Sequence, residues 1–513
     1  MTPAILAVDS GSSTVKAAVV DHHGALHGTG AADIELILAP GGVAEQSPRQ
    51  LWDAVKTACS HALAGARKVE IVGVSCSSQY SSMIPVEADG SAAANMLLWR
   101  DTRGAPYSKA VVEDTPGARE TWTKIHGLIP SPEGRDTLAH MLYFKHGEPA
   151  TYDRIHAFLE PVDFLNLRFT GVIAASQASV YKMMLTDNRT TNVTAYDPDL
   201  MALVGIGEDK LPPLLDLEAV IGEVLPEVAA ELGLPAGVQV LGGVNDNHAV
   251  ALGTGAFEPG RAGVSIGTTT NISALVDGLK SDLVSRIAAM PTPYPGRHMV
   301  MAENGMGGKV LELMLGKMLY PDQSLDDSFA AIDGIVRGTD PGADGLLFLP
   351  WINGAGSPAS NSAARSGFLN ISADTTRDHM VRALLEGITF NLRWLNEAVE
   401  DFVGGPFEQL MFAGGGAQSD SWPQIVADIL DRPVHQMADP RFSSCKGLAL
   451  RALVRLGYLS PDAGGDFLHV KQIHEPRPAH RARYDTMHAQ FIAAFENNIS
   501  IFTALNPPMN NGS

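Results

Sequence analysis

Residues 7–20 read AVDSGSSTVKAAVV, and residues 263–276 read GVSIGTTTNISALV. Superposed without gaps, five of the fourteen positions are identical: Val8/Val264, Gly11/Gly267, Thr14/Thr270, Ala18/Ala274 and Val20/Val276. Ser12/Thr268 and Ser13/Thr269 keep the hydroxyl. Each copy is an apolar run, a turn of glycine and small hydroxyl residues, and a second apolar run, the pattern of strand, turn and strand. The second copy opens just past the midpoint of a 513-residue chain, which is too long for one compact core. The repeat predicts two similar domains, each opening on the same hairpin.

Around these hairpins, strands and helices alternate. Ser47, Pro48 and Gln50 form a capping-box start with proline at the first helical position. Leu51, Trp52, Val55, Cys59 and Leu63 follow at helical spacing, so 48–64 is an amphipathic helix and 69–74 a short strand. In the second half, Met380, Leu384, Ile388, Leu395 and Val399 line one face of a helix over 376–402. A strand at 410–412 runs into Gly414-Gly415-Gly416, and Trp422, Ile425, Val426, Ile429 and Leu430 mark the next helix. A last helix is expected over 484–505, with a frayed tail from residue 506 to the end. This alternation indicates an α/β class. The expected domains are 1–256, 257–484 and a C-terminal helix and tail over 485–513, with a hinge between Gly253 and Gly263. Gly253, Gly255, Gly260 and Gly263 lie there around the single Pro259.

The formal net charge of −20 excludes broad contact with nucleic acid or anionic lipid, both of which need a basic face. A nucleotide is not excluded, because a few amides and one cation neutralise phosphates locally. Cys59, Cys76 and Cys445 form no CxxC pair, so free thiols in a reducing compartment are expected. The opening apolar run has no basic start and stops at Asp9, and no stretch approaches a membrane span of roughly 18 apolar residues. A cytoplasmic protein is the expectation.

The first hairpin holds the parts of a phosphate site. Glycine lets backbone approach an anion, and the N–H and hydroxyl groups of Ser12 and Ser13 can donate to phosphate oxygens. Asp9 at the strand end can hold Mg²⁺ through water, and Lys16 adds a cation. Alone, such a turn is as readily a plain hairpin. Its repetition at Gly267-Thr268-Thr269 lets two hairpins clamp a polyphosphate from both sides. In Gly242-Gly243-Val244-Asn245-Asp246-Asn247-His248, an acidic residue follows what reads as a flexible glycine turn. Such a carboxylate can take the proton of a hydroxyl attacking a phosphoryl group, or it can sit in a solvated Asx turn. The GVSIG run at 263–267 also fits a nucleophile elbow, but the β-branched stretch after it reads as strand where that motif needs a helix. No Walker A is present: the run at 305–309 ends Gly-Lys-Val.

Taken together and in order, these motifs resemble the FGGY carbohydrate kinases over residues 5 to about 458. DSGSSTVK at 9–16 resembles their first phosphate motif and GVNDNHAVALGTG at 243–255 their catalytic-aspartate segment. SIGTTT at 265–270 is similar to the second phosphate motif and AGGGAQSDSW at 413–422 to the adenosine motif. LLWRDTR at 97–103 and PVDFLNLRFTG at 161–171 resemble sugar-domain landmarks.

The resemblance implies two duplicated actin/hexokinase-like (ribonuclease H-like) domains around an ATP/sugar cleft. It implies ATP and Mg²⁺, a small-molecule sugar acceptor, and room for a homodimer. By resemblance Asp246 is the general base and Asp9 positions Mg²⁺. Ser12, Ser13, Lys16, Gly267, Thr268 and Thr269 line the phosphates, and Gly415, Gly416, Ala417 and Asp420 meet the adenosine. Gln79, Tyr80, Ser81, Trp99, Asp246 and Asn247 face the sugar. Two departures bear on the acceptor. Gln79-Tyr80-Ser81-Ser82 stands where xylulose kinases have Gln-Met-His-Gly, and Ala355-Gly356 precedes Ser357-Pro358 where the family has Glu-Arg. A ketopentose such as xylulose is expected, with ribulose, sedoheptulose, gluconate or glycerol as alternatives. A reading of another class is a non-catalytic ATPase-fold sugar sensor, which would not need the Asp246 carboxylate.

Overall fold

The computed structural model describes residues 1–507. Two main sheets, one in each half, carry the fold. The first contains β1 (Thr2–Ser10), β2 (Thr14–Asp21), β3 (Leu26–Asp33), β4 (Val69–Ser78), β5 (Val220–Glu223) and β6 (Gln239–Asn245), in the order β5-β6-β4-β1-β2-β3. The second contains β7 (Arg261–Ile266), β8 (Thr270–Val276), β9 (Ser281–Asp282), β10 (Ile287–Pro291), β11 (His298–Glu303), β12 (Gln409–Ala413), β13 (Val434–Met437) and β14 (Val470–His474), in the order β9-β10-β11-β8-β7-β12-β13-β14.

The directions match strand by strand. In the first sheet β1 is antiparallel to β2 and parallel to β4, which is parallel to β6. In the second, β7 is antiparallel to β8 and parallel to β12, which is parallel to β13. An antiparallel edge strand closes each, β5 beside β6 and β14 beside β13. The repeat read from the two hairpins is thus a repeat of a whole sheet. Helices cover both faces of its central strands, which accounts for near-continuous apolar runs such as Ala4 to Val8, all fully buried.

The helices that matter to the site are α1 (Pro48–Gly65), α2 (Pro161–Thr170), α3 (Asp246–Thr254), α4 (Arg377–Val403), α5 (Trp422–Leu430), α6 (Ser443–Arg455) and α7 (Pro478–Leu505). Only half of the expected box opens α1: the Ser47 hydroxyl accepts the Gln50 N–H, while the Gln50 side chain turns to Glu35. The last helix starts six residues before the expected position, so residue 484 lies inside it. Its first turn is polar and shows no apolar stripe, whereas Tyr484, Met487, Phe491 and Phe495 enter the core beside Trp351 and Phe390. Asn506 closes α7 through its N–H on the Phe502 carbonyl, and the expected tail from residue 508 on lies outside the described residues.

Two helices interlock the halves. α6, from the second half, packs on β1, β2 and β4 of the first sheet, and α3 touches strands of both sheets. The two cross at glycines: a Cβ on Gly447 would lie 2.3 Å from the Gly253 nitrogen. Arg451 of α6 reaches into the first half, donating to the carbonyls of Gly242 (2.7 Å) and Leu217. Gly253 and Gly263, expected as hinge residues, are packing residues instead; a Cβ would meet Ser443 O at 1.9 Å and Thr254 Oγ1 at 2.1 Å respectively. Only Gly255 and Gly260 of that stretch have positive φ.

Candidate active site

β1, β4 and β6 run parallel and end together. The register aligns Asp9 with Ser77 and Val244 with Ser77, so the chain leaves all three strands at one edge. Ligands of open α/β sheets bind outside such carboxyl ends. Asp9 is buried there, its Oδ1 accepting from Ser77 Oγ at 2.8 Å and its Oδ2 from Lys16 Nζ at 3.4 Å. The Asp9 charge raises the Lys16 ammonium above its ordinary range, against an opposing effect of burial.

Asp246 is the first residue of α3. Asn245 caps the helix by accepting the His248 N–H at 2.9 Å. The glycines before it are not a flexible turn: Gly242 and Gly243 lie within β6, and a Cβ on Gly243 would strike Val162 of α2 at 2.2 Å. Close helix–sheet packing therefore demands the glycine, and Asp246 is held on rigid structure. Its carboxyl is pushed up to about 8, first by burial, then by the negative charges of Asp9 and Glu303. Such a carboxyl exchanges its proton near neutral pH, as a general base requires. The adjoining Asn247 side-chain nitrogen is buried and without a partner among the described residues.

In the second half the corresponding strand ends carry the other motifs. The Gly267 N–H closes the turn on the Thr269 carbonyl at 2.9 Å, and the Gly267 carbonyl accepts from Gly308 N at 2.6 Å. Thr268 is exposed, and Thr269 lies beside the Glu303 carboxylate. Gly414, at φ +81°, lets the next turn pass over Ile266, and Gly416 packs on the same residue. The second hairpin and the triple-glycine turn are thereby neighbours. Gly415 is exposed, whereas Gly416 and Ala417 are buried. Asp420 points away, its carboxylate accepting from Lys471 Nζ at 2.8 Å. Asp333 organises this turn instead, accepting from Ser419 Oγ (2.6 Å) and from the N–H groups of Asp420 and Ser421.

The expected sugar-facing residues also meet. Gln79 Oε1 accepts from Ser12 Oγ at 2.8 Å, Ser12 Oγ accepts from Trp99 Nε1 at 3.2 Å, and Gln79 Nε2 donates to Gln46 Oε1 at 3.1 Å. The Ser12 side chain therefore belongs to this group, leaving Ser13, which is exposed, as the free hydroxyl of its turn. Trp99 is presented by a fixed loop: buried Asp101 accepts Ala44 N at 2.9 Å and holds Arg103, which also pairs with Glu45. Ser81, at φ +57°, turns the chain after Tyr80.

Three residues of this region carry no sequence signal. Glu303 ends β11 and opens onto the cleft near Asp246 and Lys182. Lys182 sits in the turn Val180–Met183, with Nζ 5.3 Å from the Tyr80 ring centroid and 5.6 Å from that of Tyr181. Gln46 joins the Gln79 group from the strand before α1. Each is brought in from a distant part of the chain, by pairing or packing that no local pattern encodes.

Two duplicated α/β domains, with phosphate-type turns at facing strand ends and an acidic group of raised pKa beside them, define a phosphotransferase of the actin–hexokinase type. The N-terminal domain of the FGGY family of carbohydrate kinases matches residues 4–253 and the C-terminal domain of that family matches residues 262–456. The chain belongs to the FGGY family of carbohydrate kinases. It is 26% identical over 512 residues to the xylulose kinase of Bacillus subtilis, covering 98% of each chain. It is 26% identical over 502 residues to the gluconokinase of Bacillus licheniformis, covering 96% of this chain and 95% of the relative. Among solved structures, the gluconate kinase of Lactobacillus acidophilus superposes with a TM-score of 0.85 at 19% identity, covering 98% of this chain and 100% of that one. The glycerol kinase of Plasmodium falciparum with ADP superposes with 0.82 at 16% identity, covering 96% and 98%. These likenesses agree in fold with the two sheets described above.

Proposed function

We propose that this carbohydrate kinase transfers the γ-phosphoryl group of ATP to a hydroxyl of a small acceptor, with Asp246 as the base. The observation that carries the reading is the Asp246 carboxyl, held at a strand end beside Asp9 with its pKa raised to about 8. Asp246 takes the hydroxyl proton, the acceptor oxygen forms a bond to γ-phosphorus, and the bond to the β–γ bridging oxygen breaks, releasing ADP. Ser13, Lys16, Gly267, Thr268 and Thr269 hold the phosphates, with the backbone of Ser12. Gly415, Gly416 and Ala417 lie against the adenosine, and Asp420 is left at the rim by its pairing with Lys471. Gln79, Tyr80, Ser81, Trp99 and Asn247 bind the acceptor.

Asp9 suits Mg²⁺: among the described residues its Oδ2 has only the 3.4 Å contact from Lys16, and Mg²⁺ takes one or two carboxylates with phosphates and water. Bound there, Mg²⁺ would neutralise charge on the phosphates. No helix among the described residues is long and apolar enough to cross a membrane; a cytoplasmic location and room for a homodimer belong to the same proposal. Relatives named for xylulose make a ketopentose the first acceptor to test, and those named for gluconate make an aldonate the second. The test is ADP release by the purified protein across polyols, ketopentoses, ketohexoses, ketoheptoses and aldonates. ADP release that rises with one acceptor supports the reading; ADP release unaffected by every acceptor overturns it in favour of a sensor.

A further inference from the structure

We infer that Gln46 is a positioning residue for phosphoryl transfer: it locks the peptide between Ser12 and Ser13 so that the Ser13 N–H faces the cleft and donates to a phosphate oxygen. This deepens the kinase reading and rests on it. Gln46 is fully buried and ends the strand Val43–Gln46 ahead of α1. Its Nε2 donates to the Ser12 carbonyl at 2.6 Å, and its Oε1 accepts from Gln79 Nε2 at 3.1 Å. Gln79 Oε1 accepts in turn from Ser12 Oγ at 2.8 Å, so residues from three separate stretches of chain close a ring. Its polarity is fixed at both ends. The Trp99 indole N–H can only donate, so Ser12 Oγ accepts it at 3.2 Å and turns its own proton to Gln79. The Ser12 carbonyl can only accept, which sets the Gln46 amide with Nε2 against it.

The ring acts on one peptide plane. A trans peptide points its N–H opposite to its carbonyl, and the cis bond among the described residues is elsewhere, at Ser357-Pro358. With the Ser12 carbonyl turned inward onto buried Gln46, the Ser13 N–H is turned outward, on the side where Ser13 is exposed. That N–H has no partner among the described residues, whereas Gly11 N donates to the Thr14 carbonyl at 3.1 Å and the Ser13 carbonyl accepts from Ile34 N at 2.9 Å. Without Gln46 the plane is free to rotate and to present the carbonyl, a poor neighbour for a phosphate. Gln46 is itself held from the acceptor side. It pairs with Met96 and Glu45 pairs with Leu97, so the strand bearing Gln46 and the loop bearing Trp99 form one unit. The ring therefore ties the first phosphate turn to Gln79 and Trp99, and each group in it is satisfied only while the others stay in place.

The experiment measures calorimetric binding of a non-hydrolysable Mg·ATP analogue and, separately, ADP release with the range of acceptors named above. Wild type is compared with Gln46→Met, Ser12→Ala and the double variant. Gln46→Met removes both amide hydrogen bonds at nearly constant volume. It should raise the analogue Kd about 10- to 100-fold, the scale of buried hydrogen bonds left unmade, and lower kcat/KM in the same direction. Ser12→Ala opens the ring at a half-buried hydroxyl, where folding is less at stake, and should also weaken analogue binding. The double variant should lose much less than the product of the two single losses, because its second cut falls in a ring already open. A residue that only packs would give losses that multiply. Multiplying losses, analogue binding unchanged in Gln46→Met, or unchanged in Ser12→Ala should Gln46→Met not fold, overturn the inference, as does a wild type that binds no analogue. If no acceptor elicits ADP yet Gln46→Met weakens analogue binding as stated, the kinase reading fails and the hold of Gln46 on the turn stands.

Discussion

Asp9 and Asp246 leave two parallel strands, β1 and β6, at the same edge of the first sheet with only β4 between them, and the charge of Asp9 helps to keep a proton on Asp246. In the proposed reading the two carboxylates divide the work of the cleft, one for the phosphates and one for the acceptor, and substituting either should alter the other.

Asp246→Asn should lower kcat by about 10²–10⁴-fold, the usual contribution of a positioned base. Acceptor affinity should persist, because the amide keeps most hydrogen bonds. Wild-type kcat/KM for the acceptor should climb with pH, reach half its plateau near pH 8 and level off roughly a unit higher, since the base form accumulates through the raised pKa of about 8. Steady-state kinetics from pH 5.5 to 9.5 check this; a variant retaining more than about a tenth of wild-type turnover removes Asp246 from the role.

Asp9→Asn should weaken use of Mg·ATP and lower turnover while leaving calorimetric acceptor affinity nearly unchanged. It should also move the acidic limb of kcat/KM to lower pH, because the first charged neighbour raising the Asp246 pKa is gone. An unmoved limb in a variant with residual activity would show that the two carboxylates do not sense each other.

Stability carries the same signature with its own sign. The folded pKa of Asp246 is raised from 3.8 to about 8, so the native state holds a proton that the unfolded chain has released. The stability this supplies is complete below pH 4 and is lost as pH rises through 8. Asp246→Asn escapes that loss. The variant should melt about 2–4 °C above wild type at pH 8.5 and show little or no advantage at pH 4.5. Equal melting differences at both values would contradict the raised pKa.

Gly447→Ala should destabilise by about 1–3 kcal/mol or more, the usual penalty of overpacking, because its Cβ would lie 2.3 Å from the Gly253 nitrogen. Gly465→Ala, with nothing within 4 Å of a new Cβ, is the matched control. Denaturant unfolding of both variants separates close packing from a general dislike of alanine.

Acceptor together with a non-hydrolysable ATP analogue should compact the protein in solution scattering, and the analogue alone should do less. The two phosphate turns belong to different halves and can hold one γ-phosphoryl only by approaching, which also excludes water from the transfer. A scattering curve unchanged at saturation with both ligands would count against closure.

The sheets were legible because their hairpins are written in contiguous small and apolar residues, and the repeat made the second site readable from the first. What escaped had physical reasons. β4 runs on to Ser78 past the expected end at residue 74, since Ser75, Ser77 and Ser78 are buried by strand pairing and not by hydrophobicity. Gly242-Gly243 resembles a turn in composition, yet both lie within β6, and α2 leaves no room for a side chain at Gly243. Lys182, Glu303 and Asp333 meet their partners across long stretches of chain, so only the assembled fold reveals them. The glycines between Gly253 and Gly263 show the converse error, two of them serving contact instead of freedom.

The crossing of α3 and α6 has a further consequence for how the chain is made. The apolar face of β1, β2 and β4 is covered by a helix synthesised some 370 residues later, counting from Ser78 to Ser443. During translation the first half therefore waits with Ile5, Ala7, Ala18 and Val20 uncovered, residues that share one buried cluster with Leu448, Ala449 and Leu453 of α6. Severed at the junction, the halves would be poor independent folders, and the first would be prone to self-association through that face. Supplied together they could complete one another, so split fragments of this kinase would report reassembly through the return of activity.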